Sequence, residues 1–288
     1  MTGHRLLALG LALVAPAASA QLDPPAWTRP IAAFPIVGPV WYVGTEGLAA
    51  YLIKTRDGAI LLDGTMAENV PAIERNILAT GTRLGDVKLL LNSHAHFDHA
   101  AGLAQLRRDT GARLAAGAGD AAALATGVPP GETNYGVIRF PAVSVDRAVR
   151  DGAQVRLGEV VLTAHATPGH TPGNTSWSMR VRDGGRTLDV LFPGSLTVAG
   201  NRLVGNRRYP GIVAGYRTSF ARLAGLHADV VLPAHPEGAD VLGRGRRAAA
   251  GERQAFVAPD LLPRMVAQAR AAFEAELGKQ SAADSTRR

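Results

Sequence analysis

Apolar positions along the chain fall into two periods, and these locate most of the regular elements. Residues 40–44, 48–55 and 59–62 are short apolar runs separated by Thr45-Glu46-Gly47 and Arg56-Asp57-Gly58. An Asp-Gly pair between two such runs predicts a hairpin. Residues 69–80 change period, with Val70, Ile73, Ile77 and Leu78 at helical spacing before Gly81. The continuous run at 87–91 suits a strand buried on both faces. A helix is expected over 101–109, a strand over 113–116 and a short helix over 120–125. Residues 127–146 carry three prolines, Gly131, Tyr135 and Gly136 without periodicity, and so predict a long functional loop. The second half repeats the theme. Strands are expected at 154–157, 160–166, 176–181, 188–192 and 230–232, and a helix near 212–225. A last helix over 260–278 aligns Leu262, Val266, Ala269, Phe273 and Leu277 on one stripe.

The two ends read differently. Residues 1–20 have His4 and Arg5, an apolar core and then Ala18-Ser19-Ala20, the pattern of a secretory signal cleaved before Gln21. Its apolar run is too short for a membrane-spanning helix. Residues 21–39 are Pro-rich and predict an extended arm anchored by Trp27 and Phe34. The main domain is expected over 40–278, with a flexible tail at 279–288. The 288 residues carry a formal net charge of +7 and no cysteine. Disulfides, thiolate ligands and cysteine nucleophiles are therefore excluded. Arg244, Arg246, Arg247 and Arg253 form the densest basic patch, read as a solvated loop or helix face. Without interleaved aromatics it does not point to nucleic acid.

The chemistry concentrates at Ser93-His94-Ala95-His96-Phe97-Asp98-His99, directly after the 87–91 run. Three of the chain's eight histidines lie there with an aspartate between them. Imidazoles and a carboxylate this dense point to divalent metal at the carboxyl end of a central strand. Two more histidines have the setting of ligands. His170 lies between two Pro-Gly pairs, and His235 follows the run at 230–232 in Leu-Pro-Ala-His-Pro. His165, inside a strand run, and His227, at a helix end, read as structural.

These residues resemble the metallo-β-lactamase superfamily. The resemblance rests on His94-x-His96-x-Asp98-His99, His170 in its Pro-Gly turn and His235 after its strand. It implies an α+β fold, an αββα sandwich of two mixed sheets with helices on the outer faces. It also implies two zinc ions, one held by His94, His96 and His170 and the other by Asp98, His99 and His235. In thioesterases, lactonases and many nucleases of the superfamily an aspartate bridges the metals. Ser195 stands at that position here. With the stretches 168–177, 41–46 and 209–212, this is most similar to the third subclass of class B β-lactamases.

The resemblance implies an exported, periplasmic zinc β-lactamase conferring antibiotic resistance. It would open the lactam amide of penicillins, cephalosporins and carbapenems with a hydroxide shared by the two metals. Asp98 would orient that nucleophile as the catalytic side chain. Ser195 and Thr197 would bind the substrate carboxylate, and Trp27 and Tyr135 would wall the pocket. A monomer is expected, with no membrane anchor and no nucleic-acid partner. The competing expectation is a metallohydrolase of the same fold acting on a lactone, thioester or phosphodiester.

Overall fold

The structure is a computed structural model that describes residues 23–287. The expected export signal lies outside the described residues. Strands β1 (Phe34–Val37), β2 (Val40–Tyr42), β3 (Tyr51–Thr55), β4 (Gly58–Leu62), β5 (Val87–Leu91), β6 (Arg113–Gly117) and β7 (Arg147–Val149) form one sheet in that order. Strands β8 (Gln154–Leu157), β9 (Val160–Ala166), β10 (Thr175–Asp183), β11 (Arg186–Phe192) and β12 (Val230–Val231) form the second, ordered β12-β11-β10-β9-β8. Both sheets are mixed. The first is antiparallel through β1 to β4 and parallel from β4 to β7. The second is antiparallel except where β12 joins β11.

The helices are α1 (Val70–Ala79), α2 (Phe97–Ala100), α3 (Leu103–Thr110), α4 (Ala121–Thr126), α5 (Ile212–Ala224), α6 (Val241–Ala249) and α7 (Leu261–Arg287). Strand alternation explains the layers, because successive side chains leave opposite faces. In β3 and β4, Tyr51, Ile53, Ile60 and Leu62 meet Leu162, Trp177, Met179 and Phe192 of the second sheet. Their neighbours Leu52 and Leu61 point the other way and pack with α1 and α3. Leu191 and Val231 do the same for α5 and α7 on the far side. The inner strands are covered on both faces, which is why their sequences are apolar without a polar alternation.

Three segments depart from expectation. The arm contains a 3-10 turn, Pro25–Trp27, and the edge strand β1, where Pro35 is tolerated because no further strand pairs beyond it. The basic patch is an exposed helix face at Arg246 and Arg247 of α6 with Arg253 exposed in the turn beyond, and the departure is Arg244, which is half-buried with its guanidinium donating to the carbonyls of Ala239 and Ala255 at 2.8 and 2.7 Å. Residues 279–287, expected as a flexible tail, continue α7 instead. There the Gln280 side chain accepts from Leu203 N at 2.7 Å and donates to Asn201 O at 3.1 Å. Among the described residues no helix is long and apolar enough to cross a membrane.

Candidate metal centre

The parallel strand β5 delivers residues 92–99 to one edge of the sandwich, and backbone hydrogen bonds hold that loop from several sides. Asn92 N donates to Ala115 O at 3.2 Å, Thr175 N to Ser93 O at 2.8 Å and Gly64 N to His99 O at 2.9 Å. Asp63, just beyond β4, accepts from Ser93 N at 2.7 Å and Asn92 Nδ2 at 3.0 Å. His170 arrives on the turn between β9 and β10. Gly169, at φ +131°, lies so close to Tyr216 that a Cβ there would come within 2.7 Å of the ring. His235 follows β12 in a segment docked on the first sheet. Tyr51 Oη donates to Pro233 O at 2.7 Å and Ala49 N to Ala234 O at 2.9 Å.

Two ligand groups result. His94, His96 and His170 each present a ring nitrogen within 4.8 Å of the others, and all three are buried. His96 Nδ1 and His170 Nε2 are 2.9 Å apart. Beside them Asp98 Oδ2 lies 3.1 Å from His99 Nε2 and 3.3 Å from His235 Nε2, with 3.1 Å between the two nitrogens. Donor atoms arranged tetrahedrally around one zinc at 2.0–2.1 Å would be separated by about 3.3 Å. The spacings therefore suit a shared cation.

Hydrogen bonding supports the same fit. His170 Nδ1 faces the Thr197 carbonyl at 2.7 Å, so it carries the proton and leaves Nε2 as a bare acceptor. If His96 donates to that nitrogen from Nδ1, its buried Nε2 has no partner. If it does not, two lone pairs oppose each other at 2.9 Å. A cation between them removes the conflict.

Electrostatics separates the groups. Burial, then the charges of His99, His170 and His96, holds His94 well below the usual imidazole range. Burial and His96 do the same to His170, and burial takes His96 down to about 4. The first group is thus neutral at pH 7 and free to donate lone pairs. Burial opposes the charge on Asp98, but His99 and His235 outweigh it and hold the carboxyl well below the usual range. Burial also opposes protonation of His99, yet Asp98 and Asp63 push it up to about 10. The second group is a carboxylate–imidazolium pair that must release a proton to take a metal.

The groups open on a cavity of about 770 Å³. His96, Asp98, His170 and His235 line it together with Trp27, Tyr135, Ser195 and Thr197. Trp27 packs against His235 with ring centroids 5.5 Å apart. Ser195 Oγ and Thr197 Oγ1 are 3.2 Å apart and form a hydroxyl pair on the wall. The two residues expected to be structural stay apart from it, His165 against Ser178 and His227 against Asp229.

Asp63 and Asp120 were not singled out for the site by the sequence. Asp63 directly follows β4 and Asp120 ends a 3-10 turn before α4, positions that also suit an ordinary cap. Asp63 is 2 % exposed and sits behind His99, its Oδ2 3.7 Å from Nδ1. Asp120 is fully buried beneath both ligand loops.

Comparison with known proteins agrees with this architecture. The sequence model of the metallo-beta-lactamase superfamily matches residues 44–235. The crystal structure of BJP-1, a subclass B3 metallo-beta-lactamase of Bradyrhizobium japonicum, superposes with a TM-score of 0.85 at 42% identity. That match covers 90% of this chain and 98% of BJP-1. FEZ-1 from Legionella gormanii superposes with a TM-score of 0.83 at 35% identity, covering 88% of this chain and 98% of FEZ-1. Among curated sequences, the hydroxyacylglutathione hydrolase of Rhodospirillum rubrum is 30% identical over 128 residues, 44% of this chain and 41% of the relative. The chain thus spans about two fifths of the length of that curated relative. Two mixed sheets between helical layers, a metal-ligand cluster at their edge and these matches agree: the chain belongs to the metallo-beta-lactamase superfamily.

Proposed function

We propose that this chain is an exported, periplasmic β-lactamase that holds two zinc ions and hydrolyses penicillins, cephalosporins and carbapenems, and that it acts as a monomer in antibiotic resistance. The observation that carries the reading is that His94, His96 and His170 gather beside Asp98, His99 and His235, four of the six lining one cavity whose wall carries the Ser195–Thr197 hydroxyl pair. The extent and identity of the likeness to BJP-1 support it further.

On this reading His94, His96 and His170 hold one ion, and Asp98, His99 and His235 the other. Zinc in these positions supplies Lewis acidity and lowers the pKa of a bound water toward about 7. Asp98 stays ionised at neutral pH and orients the attacking water through its carboxylate. Thr197 keeps His170 in the tautomer whose Nε2 is a lone-pair donor. Ser195 and Thr197 offer two hydroxyls to the carboxylate that β-lactams carry beside the ring nitrogen. Trp27 and Tyr135 line the same cavity and offer aromatic surface to the substrate.

A second reading, hydrolysis of a glutathione thioester, draws on the curated relatives. Against it, Ser195 occupies the place where the resemblance puts a bridging aspartate in thioesterases, and the candidate ligand set contains one carboxylate, Asp98. The test is direct. The zinc-loaded protein is assayed on a penicillin, a cephalosporin and a carbapenem beside a thioester, a lactone and a phosphodiester, then again after chelation. Chelator-sensitive turnover of the β-lactams is expected. Thioester turnover without β-lactam turnover would replace the first reading with the second.

A further inference from the structure

Asp120 precedes α4 at its N-cap position. An aspartate there ordinarily accepts from the second or third amide of its own helix. Asp120 makes no such bond. Its carboxylate turns away from its own helix and is spent on three donors from two distant loops. Oδ2 accepts from Ala95 N at 2.8 Å and from Thr171 Oγ1 at 2.6 Å, and Oδ1 accepts from Gly173 N at 2.7 Å. Ala95 lies between the candidate ligands His94 and His96, and Thr171 directly follows His170. One buried carboxylate therefore joins the backbone of two members of the first ligand group to the turn that carries the third.

The backbones at this joint touch. A Cβ on Gly117 would come within 2.0 Å of Gly173 O, one on Gly173 within 2.2 Å of Asp120 N, and one on Gly119 within 2.5 Å of Pro172 C and O. Glycine at 117, 119 and 173 leaves no Cβ at the three points where the two backbones touch. The second ligand group is held otherwise: His99 is backed by Asp63, and His235 by the anchoring of its segment on β3.

We propose that Asp120 is a positioning residue that presets the His94, His96 and His170 group for its metal, leaving the Asp98, His99 and His235 group independent of it. The proposal rests on reading those histidines as a metal site. It requires the carboxylate specifically. Two oxygens must satisfy two N–H groups, one on each oxygen, and a hydroxyl that donates or turns. An asparagine has one oxygen, so its amide NH2 would face either Ala95 N–H or Gly173 N–H, donor against donor.

The test compares the full-length chain with Asp120→Asn, Thr171→Val and Thr171→Ser. Zinc affinity is read by competition with a chromophoric chelator, the coordination environment by the visible spectrum of the cobalt(II) form, and folding by the melting temperature without metal. Asp120→Asn is expected to weaken one of two bound ions by about 10–100-fold, the range for loss of an outer partner of a ligand, with the other unchanged. Thr171→Val should weaken the same ion less, and Thr171→Ser, which keeps the hydroxyl, should restore it. If Asp120→Asn does not fold, the Val and Ser pair at 171 carries the comparison. Unchanged affinity for both ions, or equal weakening of both in step with the melting temperature, would overturn the proposal. An unsubstituted chain that binds no divalent ion would overturn the metal reading as well, and is recognised because the defect appears before any substitution.

Discussion

His170 Nδ1 donates to the carbonyl oxygen of Thr197 at 2.7 Å, across 27 residues of sequence. The same carbonyl accepts from Tyr216 Oη at 2.7 Å. This couples a candidate metal ligand to the residue whose hydroxyl lines the cavity wall, so ligand orientation and wall position are set together.

Removing a ligand should cost more than removing an outer partner. His170→Ala and His235→Ala are each expected to lower kcat/KM for a β-lactam by more than about 100-fold. Each should reduce bound zinc by one ion per chain, measured by elemental analysis. A variant that keeps both ions shows that its histidine is not a ligand.

The hydroxyl pair should act on binding. Thr197→Ala keeps the carbonyl that orients His170 and removes only the hydroxyl, and Ser195→Ala does the same at its neighbour. Loss of a hydrogen bond to a charged group is worth about 1.5–3 kcal/mol, so KM should rise by about 10-fold or more with kcat little changed. Steady-state kinetics that place the whole loss in kcat would remove these hydroxyls from carboxylate recognition.

Glu74 gives a pH signature remote from the site. Burial, then hydrogen bonding with Asp109 and its charge, pushes the Glu74 carboxyl up to about 7. Two carboxyls can share a hydrogen bond only while one holds a proton, and the buried Glu74 Oε1 has no hydrogen-bond partner. The folded state therefore binds the extra proton between about 4.5 and 7, so stability falls as pH rises through that window and is lowest above it. Glu74→Gln mimics the protonated form. With solvent screening allowed for, it should stabilise the protein at pH 8 by on the order of 1 kcal/mol and have almost no effect at pH 4.5. Urea unfolding at the two pH values checks this, and an equal effect at both would sink it.

The glycine joint can be tested against an open turn. Gly117→Ala puts a Cβ within 2.0 Å of a backbone oxygen and is expected to cost about 3 kcal/mol or more. Gly81 has nothing within 4 Å but a φ of +80°, so Gly81→Ala should cost only about 1 kcal/mol of backbone strain. Equal losses in denaturant unfolding would show that contact at the joint is not the limiting factor.

The parts of the fold legible in the sequence are those whose burial is written locally. The 87–91 run, the hairpin at Asp57-Gly58 and the stripe from Leu262 to Leu277 each carry their own period. Strand β7 is exposed except at Val149 and shows no such period. Helix α6 forms around Gly243 and Gly245, poor helix formers, because Gly245 lets the Phe34 ring approach; a Cβ there would lie within 2.7 Å of it. Tertiary packing overrides propensity at that point. The candidate ligands stood out because histidine is scarce and clustered. Asp63 and Asp120 did not, since their partners lie 25 to 53 residues away and only the folded chain brings them together.

The division of the ligands between the two sheets has a consequence for the order of events in the life of the molecule. His94, His96, Asp98 and His99 follow a strand of the first sheet, while His170 and His235 follow strands of the second. Neither half alone completes either proposed group, although His94, Asp98 and His99 of the first half already lie within 4.8 Å of one another, so the full ligand sets form only when the halves dock. Full occupancy of both groups is thereby tied to the packed sandwich, and loosening the packing between the sheets should release metal before the strands themselves are lost.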